Sequence, residues 1–188
     1  MPTMQHIPVD LMVAMQARYG LQQFVETGTY HGQSALLATA NFDMVTTCDI
    51  DAANIERLAG LQLPPPKRLR AVCVTSPVLL RSIFADPTCA PALVFLDAHW
   101  SEGPKLGPEC PLLAELRAIN GTRGKHVILI DDARLFVNPP PPPHDASQWP
   151  TFAQVTALCW ELGPTDVVEI VGDVIVVRPL EGKPKCKG

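Results

Sequence analysis

Residues 166–178 read DVVEIVGDVIVVR and contain two short runs that are rich in valine and isoleucine. The runs are Asp166–Val171 and Val174–Arg178, with Gly172 and Asp173 between them. Two β-rich runs joined by a tight turn that contains glycine are typical of an antiparallel hairpin. The sequence therefore predicts a hairpin in the C-terminal part of the chain.

Upstream of this hairpin, short apolar runs alternate with segments of helical spacing. The runs are mostly apolar and do not alternate with polar residues, as expected when helices cover both faces of a parallel sheet. The predicted strands are Gln23–Glu26, Met44–Cys48, Ala71–Val74, Ala92–Leu96 and Val127–Ile130. The predicted helices are Val9–Tyr19, Gly32–Ala40, Asp51–Leu61, Pro111–Ile119 and Thr151–Leu162. This order predicts an α/β fold, a doubly wound and mostly parallel sheet of about seven strands that ends in the antiparallel hairpin.

The length and the composition narrow the class of protein. A chain of 188 residues fits one domain over residues 1–188, with an N-terminal helix in residues 1–20 and a flexible tail at 181–188. A net charge of -4 gives no basis for binding nucleic acid, which requires clustered Lys and Arg. The chain has neither a signal peptide pattern nor an apolar segment of the ~20 residues that span a membrane. With six scattered cysteines and no CxxC pair, we predict a reduced, cytoplasmic protein.

A glycine-containing turn follows the first predicted strand. Residues 25–34 read VETGTYHGQS, so that Gly28 and Gly32 stand where the backbone has to approach a ligand or adopt positive φ. The full GxGxxG pattern of the dinucleotide fold is absent. An ordinary strand-to-helix turn is the alternative for this motif alone.

An acidic residue follows the second predicted strand. The strand ends in Cys48-Asp49-Ile50-Asp51, and an acid at this point of a Rossmann-like site accepts hydrogen bonds from both ribose hydroxyls. Asp49 lies about twenty residues beyond the glycine turn, which is the expected separation. Asp51 is better explained as the N-cap of the next helix.

Three carboxylates follow the fourth and fifth predicted strands. Asp97 comes directly after Leu96, and Asp131 and Asp132 come directly after Ile130. Residues just past the carboxyl ends of neighbouring strands face one crevice. Carboxylates that lie so close together repel one another, so a cation is needed among them. Mg²⁺ prefers such oxygen ligands. Taken singly, Asp97 could cap a turn and Asp132 could pair with Arg134.

The element order from Phe24 to Pro179 and these motifs resemble class I S-adenosylmethionine-dependent methyltransferases, whose Rossmann-like sheet ends in such a hairpin. The motifs are most similar to catechol O-methyltransferase and to the magnesium-dependent sugar and macrolide O-methyltransferases. Those enzymes place Asp after strand four and Asp-Asp or Asp-Asn after strand five.

The resemblance implies S-adenosylmethionine as cofactor, with Glu26 as the acid of the first motif. It implies cofactor contacts at Glu26, Gly28, Thr29, Tyr30, Gly32, Ser34, Asp49, Ile50, Thr75, Ser76 and Asp97. It also implies Mg²⁺ at Asp97, Asp131 and Asp132.

The chain departs from that family at two points. Thr75 stands where the family often has an acid that contacts adenine, and Ser101 follows Trp100 where the catechol enzyme has a lysine base. We therefore expect His99, together with Asp97, to act in catalysis, His99 as the general base, with Lys105 as the alternative base.

The predicted function is metal-assisted O-methylation of a small-molecule or sugar-like hydroxyl, with no nucleic-acid or membrane partner. The segment His99–Glu109 is expected to be a mobile lid or substrate loop, and the Pro-rich loop that contains Trp149 is expected to form the opposite wall. The short chain predicts an open site, completed by a homodimer partner or by a macromolecular acceptor. The alternatives are a metal-independent O- or N-methyltransferase, a non-catalytic module that binds an adenosine cofactor, and a metal-dependent hydrolase.

Overall fold

The computed structural model describes residues 7–58, 60–119 and 124–180, and this part of the chain contains one seven-stranded sheet. The strands are β1 (Gln23–Thr27), β2 (Met44–Asp49), β3 (Arg68–Cys73), β4 (Ala92–Leu96), β5 (Val127–Ile130), β6 (Val167–Val171) and β7 (Val174–Arg178). Their order across the sheet is β3-β2-β1-β4-β5-β7-β6. Strands β1 to β5 are parallel, whereas β7 runs antiparallel to β5 and to β6. The predicted sheet with its terminal hairpin is confirmed.

Helices cover both faces of the sheet. They are α1 (Val9–Tyr19), α2 (Gln33–Ala38), α3 (Ala52–Glu56), α4 (Ser76–Phe84), α5 (Leu112–Ile119), α6 (Ala133–Val137) and α7 (Phe152–Leu162). Helices α1 and α2 pack their buried side chains on one face, and α4, α5 and α7 pack theirs on the other. Every residue of β1, β4 and β5 is buried. Burial explains why β4 and β5 read as unbroken apolar runs, whereas β1 also buries the polar residues Gln23, Glu26 and Thr27.

Three features of the structure differ from the sequence prediction. Strand β3 begins at Arg68, three residues earlier than predicted, because it is an edge strand whose exposed positions take Arg68 and Arg70. Helix α4 was not predicted, although Pro77 lies in its first turn, where proline's fixed φ favours a helix. Helix α6 was also missed, since it is only five residues long.

Among the described helices, none combines the length and the apolar character needed to cross a bilayer. The predicted tail, residues 181–188, lies outside the described residues, as do residues 1–6.

Candidate functional site

The carboxyl ends of four parallel strands meet at one edge of the sheet. Thr27 at the end of β1 is in register with Cys48 on one side and with Leu96 on the other, and Leu96 is in register with Ile130. Hydrogen bonds continue this register past the strand ends, from Gly28 N to Cys48 O at 2.9 Å and from Asp97 N to Thr27 O at 3.1 Å. The turns that follow β1, β2, β4 and β5 are therefore neighbours, as the sequence predicted.

The turn after β1 requires glycine at two positions. Gly28 has φ 84°, and a Cβ atom there would lie 2.1 Å from the carbonyl oxygen of Asp97. Gly32 has φ 75°, and its Cβ would lie 2.7 Å from a methyl group of Leu58. Both glycines adopt the left-handed backbone conformation, which other residues rarely adopt. The absence of a Cβ atom also lets the backbone pass close to a neighbouring residue.

Glu26 is buried at the end of β1 within a chain of hydroxyl groups. The Thr47 hydroxyl donates to Glu26 Oε2 at 2.6 Å, and the hydroxyls of Thr47 and Thr29 are 2.7 Å apart. Burial raises the pKa of Glu26 to about 8, against the opposing effect of the Thr47 hydrogen bond. At neutral pH this carboxyl is therefore mostly protonated, and a cation or a hydrogen-bond donor arriving beside it would favour its ionised form.

Asp49 stands beside the glycine turn and already accepts three hydrogen bonds. Its Oδ2 accepts from Tyr30 N at 2.9 Å and from Asn54 Nδ2 at 3.0 Å, and its Oδ1 accepts from Asp51 N at 2.9 Å. A carboxylate has about four acceptor positions, so one is left for a ligand. Contact with both ribose hydroxyls stays a prediction, and it requires the Asn54 side chain to give up its hydrogen bond. Asp51 caps α3 through Ala53 N, as predicted.

The remaining predicted cofactor residues lie around this turn in different settings. Tyr30 adopts φ 45°, which is unusual for a bulky residue, and its hydroxyl bonds to Glu102. Ile50 is 41% exposed and lies next to Gly107, so residues 99–109 reach over the end of β2. The Ser34 hydroxyl accepts a hydrogen bond from Ile7 N at 3.3 Å, which occupies it in this structure. Thr75 precedes α4 and makes no side-chain cap.

The acids that follow β4 and β5 form a cluster around His99. His99 Nε2 lies 2.9 Å from Asp132 Oδ2, whereas Nδ1 lies 3.6 Å from Asp97 Oδ1, beyond hydrogen-bonding distance. Arg134 contacts the other oxygen of Asp132 at 2.6 Å and also pairs with Asp173. The pairing of Asp132 with Arg134, one of the two simple alternatives for these acids, is therefore present.

The electrostatics of this cluster follow from burial and from like charges. Burial and the neighbouring acids raise the pKa values of Asp97 and Asp131, although His99 opposes this at both residues. Burial would lower the pKa of His99, but its hydrogen bond to Asp132 and the nearby acids outweigh burial and raise it. His99 and Arg134 together lower the pKa of Asp132, against the effect of its burial.

The donor set does not fit Mg²⁺ as it is arranged. Within residues 7–58, 60–119 and 124–180, no group of three or more His, Cys, Asp or Glu side chains is placed to hold a metal ion. Both carboxylate oxygens of Asp132 are engaged, one by His99 and one by Arg134. The Arg134 guanidinium supplies a cation of the kind that the sequence argument required, and the magnesium site stays a prediction.

Glu109 was not predicted, and it joins the two segments that were expected to form opposite walls. Its buried carboxylate accepts from Trp149 Nε1 and from Asp145 N, each at 3.0 Å, and pairs with Lys105. Trp149 is itself buried and packs against the His99 ring, so its side chain lies inside the protein. Lys105, the alternative base, lies over the Trp100 ring as well as against Glu109.

Glu115 was also missed, and it lies beneath the crevice on α5. It is 2% exposed, and burial raises its pKa against the opposing effect of the Ser76 and Thr27 hydroxyls, which flank the predicted cofactor site. The signal in the sequence was an acid on the apolar face of α5, three residues after Leu112 and four before Ile119. A carboxyl group at such a position is unfavourable unless it has polar partners.

Comparison with known proteins gives no match by sequence and many by structure. No protein-family model matches the chain. No curated protein matches it.

Solved structures match most of the chain at low identity. A Staphylococcus aureus protein described as a caffeoyl-CoA O-methyltransferase is 15% identical, with 94% of this chain and 85% of that chain covered and a TM-score of 0.59. Human methyltransferase-like protein 13, in complex with SAH, is 12% identical over 95% of this chain and 83% of its own, with a TM-score of 0.59. The N-methyltransferase NodS from Bradyrhizobium japonicum WM9 is 10% identical, with 92% of this chain and 93% of that chain covered and a TM-score of 0.52. The chain therefore has the fold of class I S-adenosylmethionine-dependent methyltransferases.

Proposed function

We infer that the protein is an S-adenosylmethionine-dependent methyltransferase that methylates a hydroxyl of a small or sugar-like acceptor. The observation that carries this proposal is the turn after β1, where Gly28 leaves no space for a Cβ against Asp97. That turn brings the acids Glu26 and Asp49 together at the carboxyl ends of the strands, where this fold binds ligands.

The chain's own residues are suited to a cationic nucleoside ligand. Asp49 is held by three hydrogen bonds and offers its remaining acceptor position to a ribose hydroxyl. Glu26 is mostly protonated in the free protein, and a nearby positive charge would favour its ionised form. When bound, S-adenosylmethionine supplies an electrophilic methyl group carried by a positively charged sulfur.

Asp97 and His99 are the residues that we assign to proton transfer from the acceptor hydroxyl. The side chain of Asp97 is 28% exposed, whereas that of His99 is only 7% exposed, so Asp97 is the member of the pair that faces the crevice. Asp132 holds the Nε2 side of the His99 ring, which leaves Nδ1 towards Asp97 as the nitrogen that can take up a proton. The hydroxyl proton therefore passes to this pair as the oxygen becomes nucleophilic.

The acceptor class rests on the acids around the crevice, because the structural neighbours named above include both O- and N-methyltransferases. A hydroxyl is a poor nucleophile at neutral pH and needs a base beside it, which Asp97 and His99 provide. A non-catalytic binding module would have no use for this arrangement. A homodimer and a cytoplasmic location stay predictions of the sequence.

The first test of the proposal is binding of S-adenosylmethionine and S-adenosylhomocysteine (SAH), measured by calorimetry. We expect both to bind the unaltered protein and Asp49→Asn to weaken binding by about tenfold or more. Asp51→Asn is the matched control, because Asn also caps helices and Asp51 bonds Ala53 N only two residues away. Failure of the unaltered protein to bind either compound would refute the proposal.

A second test identifies the chemistry once an acceptor has been found by screening hydroxyl and amine compounds. Asp97→Asn is expected to reduce kcat by about 10²–10⁴-fold, which is a larger effect than any loss of affinity for SAH at this predicted cofactor contact. A variant with full kcat, or an acceptor that is methylated only on nitrogen, would contradict the assignment to hydroxyl chemistry.

A further inference from the structure

Glu115 has one carboxyl oxygen whose partner the protein does not supply. The hydroxyl groups of Thr27 and Ser76 interact with its side chain and oppose the effect of burial on its pKa. Its Oε1 is buried and has no hydrogen-bond partner. Buried polar atoms in folded proteins are almost always bonded to protein or to ordered water, so this oxygen points to a ligand.

A small cavity adjoins both Glu115 and His99. Its volume is about 10 Å³, and its remaining lining comes mainly from apolar side chains, among them Leu96, Ile130 and Phe136. About this much space holds one water molecule, provided that polar groups are present to bind it. Glu115 Oε1 is one such group, and His99 supplies an imidazole ring whose Nδ1 is beyond hydrogen-bonding distance of Asp97.

We propose that a single ordered water molecule occupies this cavity and joins Glu115 to His99, so that Glu115 is a positioning residue for the proton-transfer pair. Its side chain interacts with Thr27 and Ser76 on the cofactor side of the crevice, and its Oε1 holds the orientation of the His99 ring through the water. Glu115 thereby connects the cofactor side of the crevice to the acceptor side. The role in methyl transfer rests on the proposed function, but the water site itself does not.

A crystal structure at near-atomic resolution tests the water site directly. We expect one ordered water within hydrogen-bonding distance of both Glu115 Oε1 and the His99 ring in the unaltered protein. The water should be absent from Cys110→Val, because Cys110 lines the same cavity and the added carbon fills it while Glu115 is unchanged. A dry cavity in the unaltered protein, or a water bound to only one of the two residues, would overturn the proposal.

The ¹⁵N chemical shifts of the His99 ring, measured at one fixed pH, test the positioning role. Glu115→Gln keeps an acceptor for the two hydroxyls but places an amide donor towards the cavity, so we expect the Nδ1 shift to change while the melting temperature stays within a few degrees. Cys110→Val should shift Nδ1 in a similar way, and Glu161→Gln on the outer face of α7 should not. Unchanged ring shifts in both cavity variants would show that Glu115 is only a structural anchor.

These outcomes are separable from failure of the proposed function. SAH binding by the unaltered protein reports on the cofactor site, whereas the water and the ring shifts are measured without cofactor. If SAH binds and the ring shifts do not respond, the proposal about Glu115 fails alone. If the ring shifts respond and SAH does not bind, the methyltransferase assignment fails alone.

Discussion

Gly28 lies where the turn after β1 comes closest to the backbone that follows β4. Its φ of 84° would strain any other residue, and a Cβ would overlap the Asp97 carbonyl. The hairpin glycine Gly172 also has positive φ, at 64°, but a Cβ there has nothing within 4 Å. The two positions therefore separate the effect of backbone strain from the effect of the close contact.

We predict that Gly28→Ala destabilises the protein by about 2–4 kcal/mol, compared with about 1 kcal/mol for Gly172→Ala. The larger cost arises because the turn and Asp97 must move apart, which should also abolish SAH binding. Urea unfolding of both variants measures the difference. Equal destabilisation of the two would mean that the turn adapts freely and is not held against β4.

The raised pKa of Glu26 makes stability depend on pH. In the unfolded chain Glu26 ionises near its ordinary pKa of 4.5, but in the folded protein it keeps its proton up to about pH 8. The contribution of Glu26 to the free energy of unfolding is therefore fully present below about pH 4.5. It is lost as the pH rises from about 4.5 to about 8.

We predict that Glu26→Gln removes this pH dependence. The unaltered protein should lose on the order of 5 kcal/mol of unfolding free energy from Glu26 across that window, and the variant should not. Urea unfolding at a series of pH values, with Asp51→Asn as the control, measures the slope. Parallel pH profiles for Glu26→Gln and the unaltered protein would show that Glu26 ionises normally.

At the scale of elements, the sequence predicted the strands more completely than the helices. Strands β4 and β5 were evident because both of their faces are buried and all of their side chains are apolar. The start of β3 was misplaced because an edge strand exposes alternate positions, and Arg70 does not look like a buried residue. Helix α4 begins at Ser76, directly before a proline, and a proline marks a helix start only if the elements on both sides are already known.

The site was predictable to the extent that it depends on strand ends. The order of the strands brings Asp49, Asp97 and Asp131 to one edge, and their positions in the sequence were sufficient to predict this. The neighbours of these acids were not predictable, since the ion pair of Arg134 with Asp173 links residues 39 positions apart. Glu109 and Glu115 were missed because their roles depend on long-range contacts with Trp149 and Thr27.

The segment 99–109 is held to the Pro-rich loop chiefly by the Glu109 carboxylate, which pairs with Lys105 and accepts from Trp149 and from Asp145. We predict that Glu109→Gln loosens both segments, because an amide cannot accept at both of its ends. Trypsin should then cut after Lys105 about tenfold faster, since local opening exposes that bond. Mass spectrometry of the digest identifies the cut.

Glu102→Gln is the matched control for this experiment. It changes an exposed acid in the same segment that contacts the Tyr30 hydroxyl. We expect its digestion rate to stay within about twofold of that of the unaltered protein. Equal acceleration in both variants would mean that Glu109 does not anchor the segment.

For the molecule as a whole, the central question is which cation balances the acids at the edge of the sheet. Asp97, Asp131 and Asp132 are brought together by the pairing of β4 with β5. In the structure His99 and Arg134 both contact Asp132, and Arg134 is itself fixed by Asp173 in the turn between β6 and β7. The terminal hairpin therefore takes part in neutralising the site as well as in completing the sheet.

We predict that Mg²⁺ raises the melting temperature of the unaltered, SAH-saturated protein by less than about 1 °C, because His99 and Arg134 already contact both oxygens of Asp132 and the Arg134 charge repels the metal. Arg134→Gln frees one oxygen of Asp132 and removes a positive charge, so that variant should gain several degrees from Mg²⁺. Arg178→Gln, which breaks an ion pair with Glu169 far from the acids, is the control and should gain nothing. A large Mg²⁺-dependent rise in the unaltered protein would instead support the magnesium site that the sequence predicted, and it would require His99 and Arg134 to give way when the metal binds.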